Sequence, residues 1–162
     1  MNILTMCLPI TPTPQRRVRF ASRGEFSKTY KDKKQVKNED FLMHYLQPYV
    51  PTVPILGAIE LKTKMVFPVP SSKSDWWNKA AMIGDIKHVT TGDIDNCLKN
   101  IMDVMQSMRF YKNDSQIFKA TAEKQYSDVG IWIITLIEYP VPASKKEYVT
   151  SNYLFNSKGI NP

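Results

Sequence analysis

Residues 92–108 read GDIDNCLKNIMDVMQSM. Set about 100° apart on a helical wheel, Ile94, Cys97, Leu98, Ile101, Met102, Val104, Met105 and Met108 fall on one arc. Asp95, Asn96, Lys99, Asn100, Asp103, Gln106 and Ser107 fill the other. The division predicts a helix over residues 94–108 with one face on a core and the other in solvent. The methionines of the first arc then serve as adaptable packing, not as a cofactor site. Asp93 stands where an N-cap belongs, and Asp95 falls in the first turn, where the helix dipole favours negative charge.

Working outward, the stretches on both sides of this helix read as strands. Upstream, GAIELKTKMVFPVP (residues 57–70) alternates Ile59, Leu61, Thr63, Met65 and Phe67 against Glu60, Lys62 and Lys64. Downstream, SQIFKATAEKQY (residues 115–126) alternates Phe118, Ala120 and Ala122 against Lys119, Thr121 and Glu123. IWIITLIEY (residues 131–139) is a buried strand, and SDVG before it reads as a hairpin turn. NILTMCLP makes a first strand. ITPTPQRRVRF continues it as an extended connection, because Pro9, Pro12 and Pro14 forbid a helix there. KTYKDKKQVKNEDFLMHYLQPYV (residues 28–50) reads as a helix ended by Pro48 and Pro51. SSKSDWWNKAAMIGDIKHV (residues 71–89) reads as a loop with one helical turn or two. The expected fold is α+β: a mixed four-stranded sheet in the order β-α-β-α-β-β, with helices packed on it.

The chain has 162 residues, enough for one domain with its own core. Residues 1–140 are expected to form that domain, and residues 141–162 a polar tail broken by prolines. Hydrophobic residues at 43% and charged residues at 23% are ordinary for a globular protein. No apolar run approaches the roughly 20 residues that cross a bilayer, so no membrane role is expected. Cys7 and Cys97 form no CxxC pair, and His44 and His88 lack zinc spacing, so the cysteines read as reduced core residues of a cytoplasmic protein. The 22 Lys+Arg outweigh 15 Asp+Glu for a net charge of +7. That excess fits an anionic partner, most commonly nucleic acid, as well as it fits solubility alone.

Within this basic chain, Asp93, Asp95 and Asp114 are the acids of interest. Capping and dipole effects account for the first two singly. If Asp114 returns to the same end of the helix, the three would repel one another unless a cation sat between them. Mg²⁺ suits such an oxygen-rich site, with Mn²⁺ a common substitute. A metal beside a basic surface fits phosphodiester hydrolysis. Lys99, four residues after Asp95, would then stabilise developing charge or simply pair with that acid. Arg16, Arg17, Arg19, Lys28, Lys31, Lys33 and Lys34 read as phosphate contacts or as solvated surface charge. His88 reads as a phosphate contact or a plain surface histidine. Trp76 and Trp77 read as core or interface residues, or as platforms for unpaired bases.

GDIDNCLKNIMDVM, with NDSQI (residues 113–117) and PTPQRRVRF (residues 12–20), resembles the RusA-type Holliday junction resolvases of bacteria and their phages. Pro12, Pro14, Gln15, Arg17 and Arg19 match the family's proline and arginine element, and AEKQY with Lys124 also fits. The resemblance runs over residues 3–139. It implies a homodimeric, Mg²⁺-dependent endonuclease that nicks opposed strands of a four-way DNA junction, in a bacterial cell or a phage-infected host. Asp93, Asp95 and Asp114 would be its metal-binding catalytic acids and Lys99 its helper lysine. Gly92 stands where many relatives carry proline or a basic residue, and Val18 replaces the usual proline between the arginines. A non-catalytic branched-DNA-binding accessory protein on the same scaffold is the alternative.

Overall fold

The computed structural model describes residues 2–16, 19–23, 26–30, 32–90 and 92–141. Strand β1 covers Asn2–Leu8, β2 Arg19–Arg23, β3 Phe26–Tyr30, β4 Ala58–Pro68, β5 Ile117–Ser127 and β6 Ile131–Tyr139. Helix α1 covers Lys33–Leu46, α2 Asp75–Met82 and α3 Ile94–Ser107. The main sheet has four strands in the order β1-β6-β4-β5, and β2 and β3 form a separate antiparallel ribbon. The expected mixed four-stranded α+β sheet is what the chain adopts.

Strand β4 is central. It runs parallel to β5, through a crossover that carries α2 and α3, and antiparallel to β6. β6 also pairs antiparallel with β1. The expected β5–β6 hairpin is therefore wrong: these strands flank β4 instead of pairing. That interior place buries seven of the eleven residues of β4: Ile59, Glu60, Leu61, Thr63, Met65, Val66 and Phe67. Three residues between Ser127 and Ile131 suffice for the step, since two strand spacings amount to about 10 Å.

Alternation along each strand sends one set of side chains to the helices. Met6 and Leu8, Ile59, Leu61, Met65 and Phe67, Trp132, Ile134 and Leu136 form that layer. Helix α3 closes it with Cys97, Ile101, Val104 and Met105, and α1 with Leu42 and Leu46. The opposite face carries polar and charged groups. There Lys119 Nζ lies 2.9 Å from Glu60 Oε1, and the Tyr139 hydroxyl donates to Glu60 Oε2 at 3.0 Å. The Lys119 contact holds the Glu60 carboxyl below its ordinary pKa, against the effect of burial. Cys97 is buried as expected, but Cys7 is exposed on the open face.

One helix boundary differs from the sequence reading. Helix α1 does not begin at Lys28. Asp32 caps it, accepting from the Lys34 N–H at 2.8 Å, and residues 26–30 pair with β2 instead. β-Branched and aromatic residues such as Thr29 and Tyr30 favour a strand over a helical turn. Helix α2 is two turns long, as expected for the uncertain segment; Ile83 caps it and Gly84, with φ +88°, turns the chain away. Of the expected tail, all but Val141 lies outside the described residues.

Candidate active site

Helix α3 starts from a left-handed turn. Gly92 has φ +92°, and Lys124 Nζ on β5 donates to its carbonyl at 3.0 Å. Asp93 takes the N-cap position, and its carbonyl accepts the first helical bond from the Cys97 N–H at 3.0 Å. Its side chain makes no capping bond, so the carboxylate is not turned inward onto the helix. Its nearest donor is Asn96 Nδ2, at a long 3.4 Å. Asp95 follows in the first turn, exposed, and Lys99 is exposed one turn later with no ion pair among the described residues. Two outward carboxylates therefore flank the positive end of a helix dipole.

Beneath them the site is closed. Burial pushes the Cys97 thiol up to about 11, with Asp93 and Asp95 adding to the rise and Lys124 opposing it. Cys97 is thus a neutral thiol under the acid pair and no nucleophile at neutral pH. His88 is 6% exposed, stacked on Phe67 at 4.0 Å and tilted against Tyr126 at 4.6 Å. It is neither a surface histidine nor a phosphate contact. The apolar rings of Phe67 and Tyr126 draw it into the core, and burial, then the Lys124 charge, lowers its pKa.

The basic N-terminal segment lies against the same helix. Gln15 N–H donates to the Asn96 carbonyl at 2.9 Å, and Gln15 Nε2 donates to Asp103 Oδ2 at 2.6 Å. Asn100 Nδ2 donates to the Thr13 carbonyl at 3.0 Å. Asn100 Oδ1 accepts from Gln35 Nε2 at 2.9 Å, and Gln35 Oε1 accepts from the Arg16 N–H at 2.8 Å. Asn100 thus belongs to the interior, not to the solvent arc where the wheel placed it. Its amide replaces the backbone partners that the proline segment cannot find in a sheet. The network sets exposed Arg16 beside Asp32, 4.0 Å away, with exposed Lys33 and Lys34 starting α1 next to it. Arg19 and Lys28 fall in the β2–β3 ribbon, where only backbone pairing is described, and Arg17 and Lys31 lie outside the described residues.

Asp114 does not join Asp93 and Asp95 within one chain. It opens a 3-10 turn, Asp114–Gln116, and its N–H donates to Gln106 Oε1 at 3.1 Å. That bond fixes it at the C-terminal end of α3. The 14 residues of α3 separate the helix ends by about 21 Å. Among the described residues no three His, Cys, Asp or Glu side chains cluster as a metal cage. The expected convergence fails because β5 runs antiparallel to α3 and so starts where the helix stops. Beside Asp114 lies a cleft of about 730 Å³ lined by Asp103, Gln106, Arg109, Tyr111 and Lys112, among others. Burial and the charges of Asp114 and Asp103 raise the pKa of Tyr111, whose hydroxyl donates to the Met102 carbonyl at 2.9 Å.

The sequence from residue 9 to residue 136 matches the family described as Endodeoxyribonuclease RusA. The chain belongs to the RusA endodeoxyribonuclease family. No curated protein matches it. The RusA match takes in the proline segment, the acid pair, α3, Asp114 and Lys124, so every part of the site falls within it. No helix among the described residues is long and apolar enough to cross a membrane.

Lys124 is the site residue that sequence reasoning left without a role. Its signal was present: it stands in register with buried Met65, on the apolar side of an alternating strand, between Ala122 and Tyr126. The tryptophans divide. Trp77 is half-buried against Tyr126 at 5.3 Å, while Trp76 is 69% exposed.

Proposed function

We propose that this chain nicks branched DNA, in the first place four-way junctions, as a divalent-metal-dependent homodimer that cuts two opposed strands during recombination or repair. The observation that carries this reading is the bond from Gln15 to Asn96, which seats a basic segment beside two uncapped carboxylates in a RusA-family chain. Arg16, Lys33 and Lys34 offer phosphate contacts there, and Lys99 adds positive charge one turn from Asp95.

The donor set fits magnesium in part. Mg²⁺ commonly uses one or two carboxylates and completes its shell with water and substrate phosphate. Asp93 and Asp95 would hold it, and bound there, with Mn²⁺ as substitute, it would supply Lewis acidity at a phosphoryl oxygen. The third acid is too far along α3 to serve the same chain's pair. In a two-fold dimer with antiparallel α3 helices, the partner subunit's Asp114 would complete each site, and two equivalent sites would face a near two-fold junction. The separation of Asp114 from the pair is also what favours the non-catalytic alternative, with all three acids as caps and surface charges.

Mixed dimers decide between these readings. Asp93→Asn and Asp114→Asn chains, each inactive alone on a junction with Mg²⁺, are co-expressed with different tags. In a shared-site dimer one of the two sites regains all its native acids, so single nicks return. If the site lies within one chain, no mixture cuts. A parent that binds the junction tightly and never cleaves it supports the accessory protein.

A further inference from the structure

We propose that Lys124 is a positioning residue of the acid pair: its ammonium straps the left-handed turn at Gly92 to β5 and so sets the direction of the Asp93 carboxylate. The inference rests on the nuclease reading above.

An ammonium on the apolar side of a strand is costly unless it finds polar partners. Lys124 is half-buried there, in register with Met65, which is fully buried. Its partner is the Gly92 carbonyl, at 3.0 Å. Gly92 is the hinge of the turn, with φ +92°. A Cβ at Gly92 would meet Cys97 Sγ and Phe67 Cζ at 3.5 Å, ordinary contact distances. Space therefore does not demand glycine; the backbone conformation does.

Asp93 is the next residue; no capping bond ties its side chain to the helix backbone, and its one described side-chain partner, Asn96 Nδ2, is a long 3.4 Å away. The aim of its carboxylate then depends largely on the backbone that precedes it, and that backbone is held by Lys124. The strap joins β5 to the start of α3. The ammonium also stands close enough to act electrostatically on both His88 and Cys97, below the pair.

The test uses the full chain with Lys124→Met, Lys124→Arg and Gly92→Ala. Mn²⁺ binding is read by electron paramagnetic resonance without DNA, beside the Mg²⁺ dependence of junction cleavage and the thermal midpoint. Loss of a group that orients a metal ligand weakens metal binding by about 10–100-fold, and that loss is expected for Lys124→Met. Its Mg²⁺ midpoint for cleavage should rise in step, while junction binding in EDTA stays at the parent's level. Lys124→Arg, which keeps the donor, should recover most of the Mn²⁺ affinity. Gly92→Ala, which keeps the ammonium but strains the turn, should lose it. If Lys124→Met does not fold, Gly92→Ala carries the test. Unchanged Mn²⁺ affinity in the folded variants, with a parent that cleaves, overturns the strap and leaves the nuclease standing. A parent that never cleaves, with Mn²⁺ binding still lost in the variants, overturns the nuclease and leaves the strap.

Discussion

Gln35 Nε2 donates to Asn100 Oδ1 at 2.9 Å across the contact between α1 and α3, and both residues are buried, at 2% and 0% exposure. The same Gln35 nitrogen reaches Glu39 Oε1 at 2.9 Å. Polar groups in such surroundings favour one arrangement of the helices because any other leaves them unpaired.

Asn100→Leu is expected to destabilise the fold by about 1–3 kcal/mol, the cost of leaving buried partners without a hydrogen bond. The groups left without this partner are one N–H of the Gln35 amide, whose nitrogen keeps its bond to Glu39, and the Thr13 carbonyl. Urea unfolding measures the loss. Junction affinity should fall with it, since the extended segment from Thr13 to Arg16 loses an anchor.

Arg16→Ala should weaken binding to duplex and junction alike and reduce the slope of log affinity against log salt by about 1. Arg16 is a surface group whose nearest described acid, Asp32, stands 4.0 Å away. Its charge is thus available to a phosphate. Titrations over a range of salt concentrations check the slope, and an unchanged slope removes Arg16 from the interface.

Arg109 ends α3 at φ 63°, a conformation usually left to glycine. Arg109→Gly is expected to stabilise the protein by about 1 kcal/mol, the strain of a left-handed residue with a side chain. Differential scanning calorimetry reads the gain. The arginine lines the cleft beside Asp114, so the same variant should bind junctions less tightly.

His88 titrates near 6.5 when unperturbed, and burial, with the Lys124 charge behind it, holds the folded value lower. As pH falls, the unfolded chain takes up this proton first. The stabilisation from the neutral ring is complete above the unfolded value. It is lost as pH drops through the window between the unfolded value and the lower folded one. His88→Phe, which keeps an aromatic ring against Phe67 and Tyr126, should flatten that part of the stability profile. Urea midpoints on either side of the window test this, and equal pH dependence in parent and variant refutes it.

The periodic elements were legible from sequence. Helix α3 and the central strand β4 follow from apolar spacing alone, and the sheet class follows from them. Pairing order was not legible, because β5, β4 and β6 read the same whether or not β4 lies between the other two. The β2–β3 ribbon was hidden by lysines that suit a helix as well as a strand. Asn100 was misplaced because a wheel sorts by polarity and cannot see a buried amide with partners from two other segments. The three acids were expected to converge and do not: a helix between Asp95 and Asp114 was itself the sign that they part.

Asn2 is in register with Glu138. During synthesis the first strand therefore leaves the ribosome long before its partner exists. Met6 and Leu8 must wait for nearly the whole chain to be translated before they have a ladder to join. Pairing of such long sequence separation slows folding and leaves sticky segments uncovered in the meantime. Nascent chains stalled ahead of β6 should accordingly be held by chaperones, and release should come once β6 has cleared the exit tunnel.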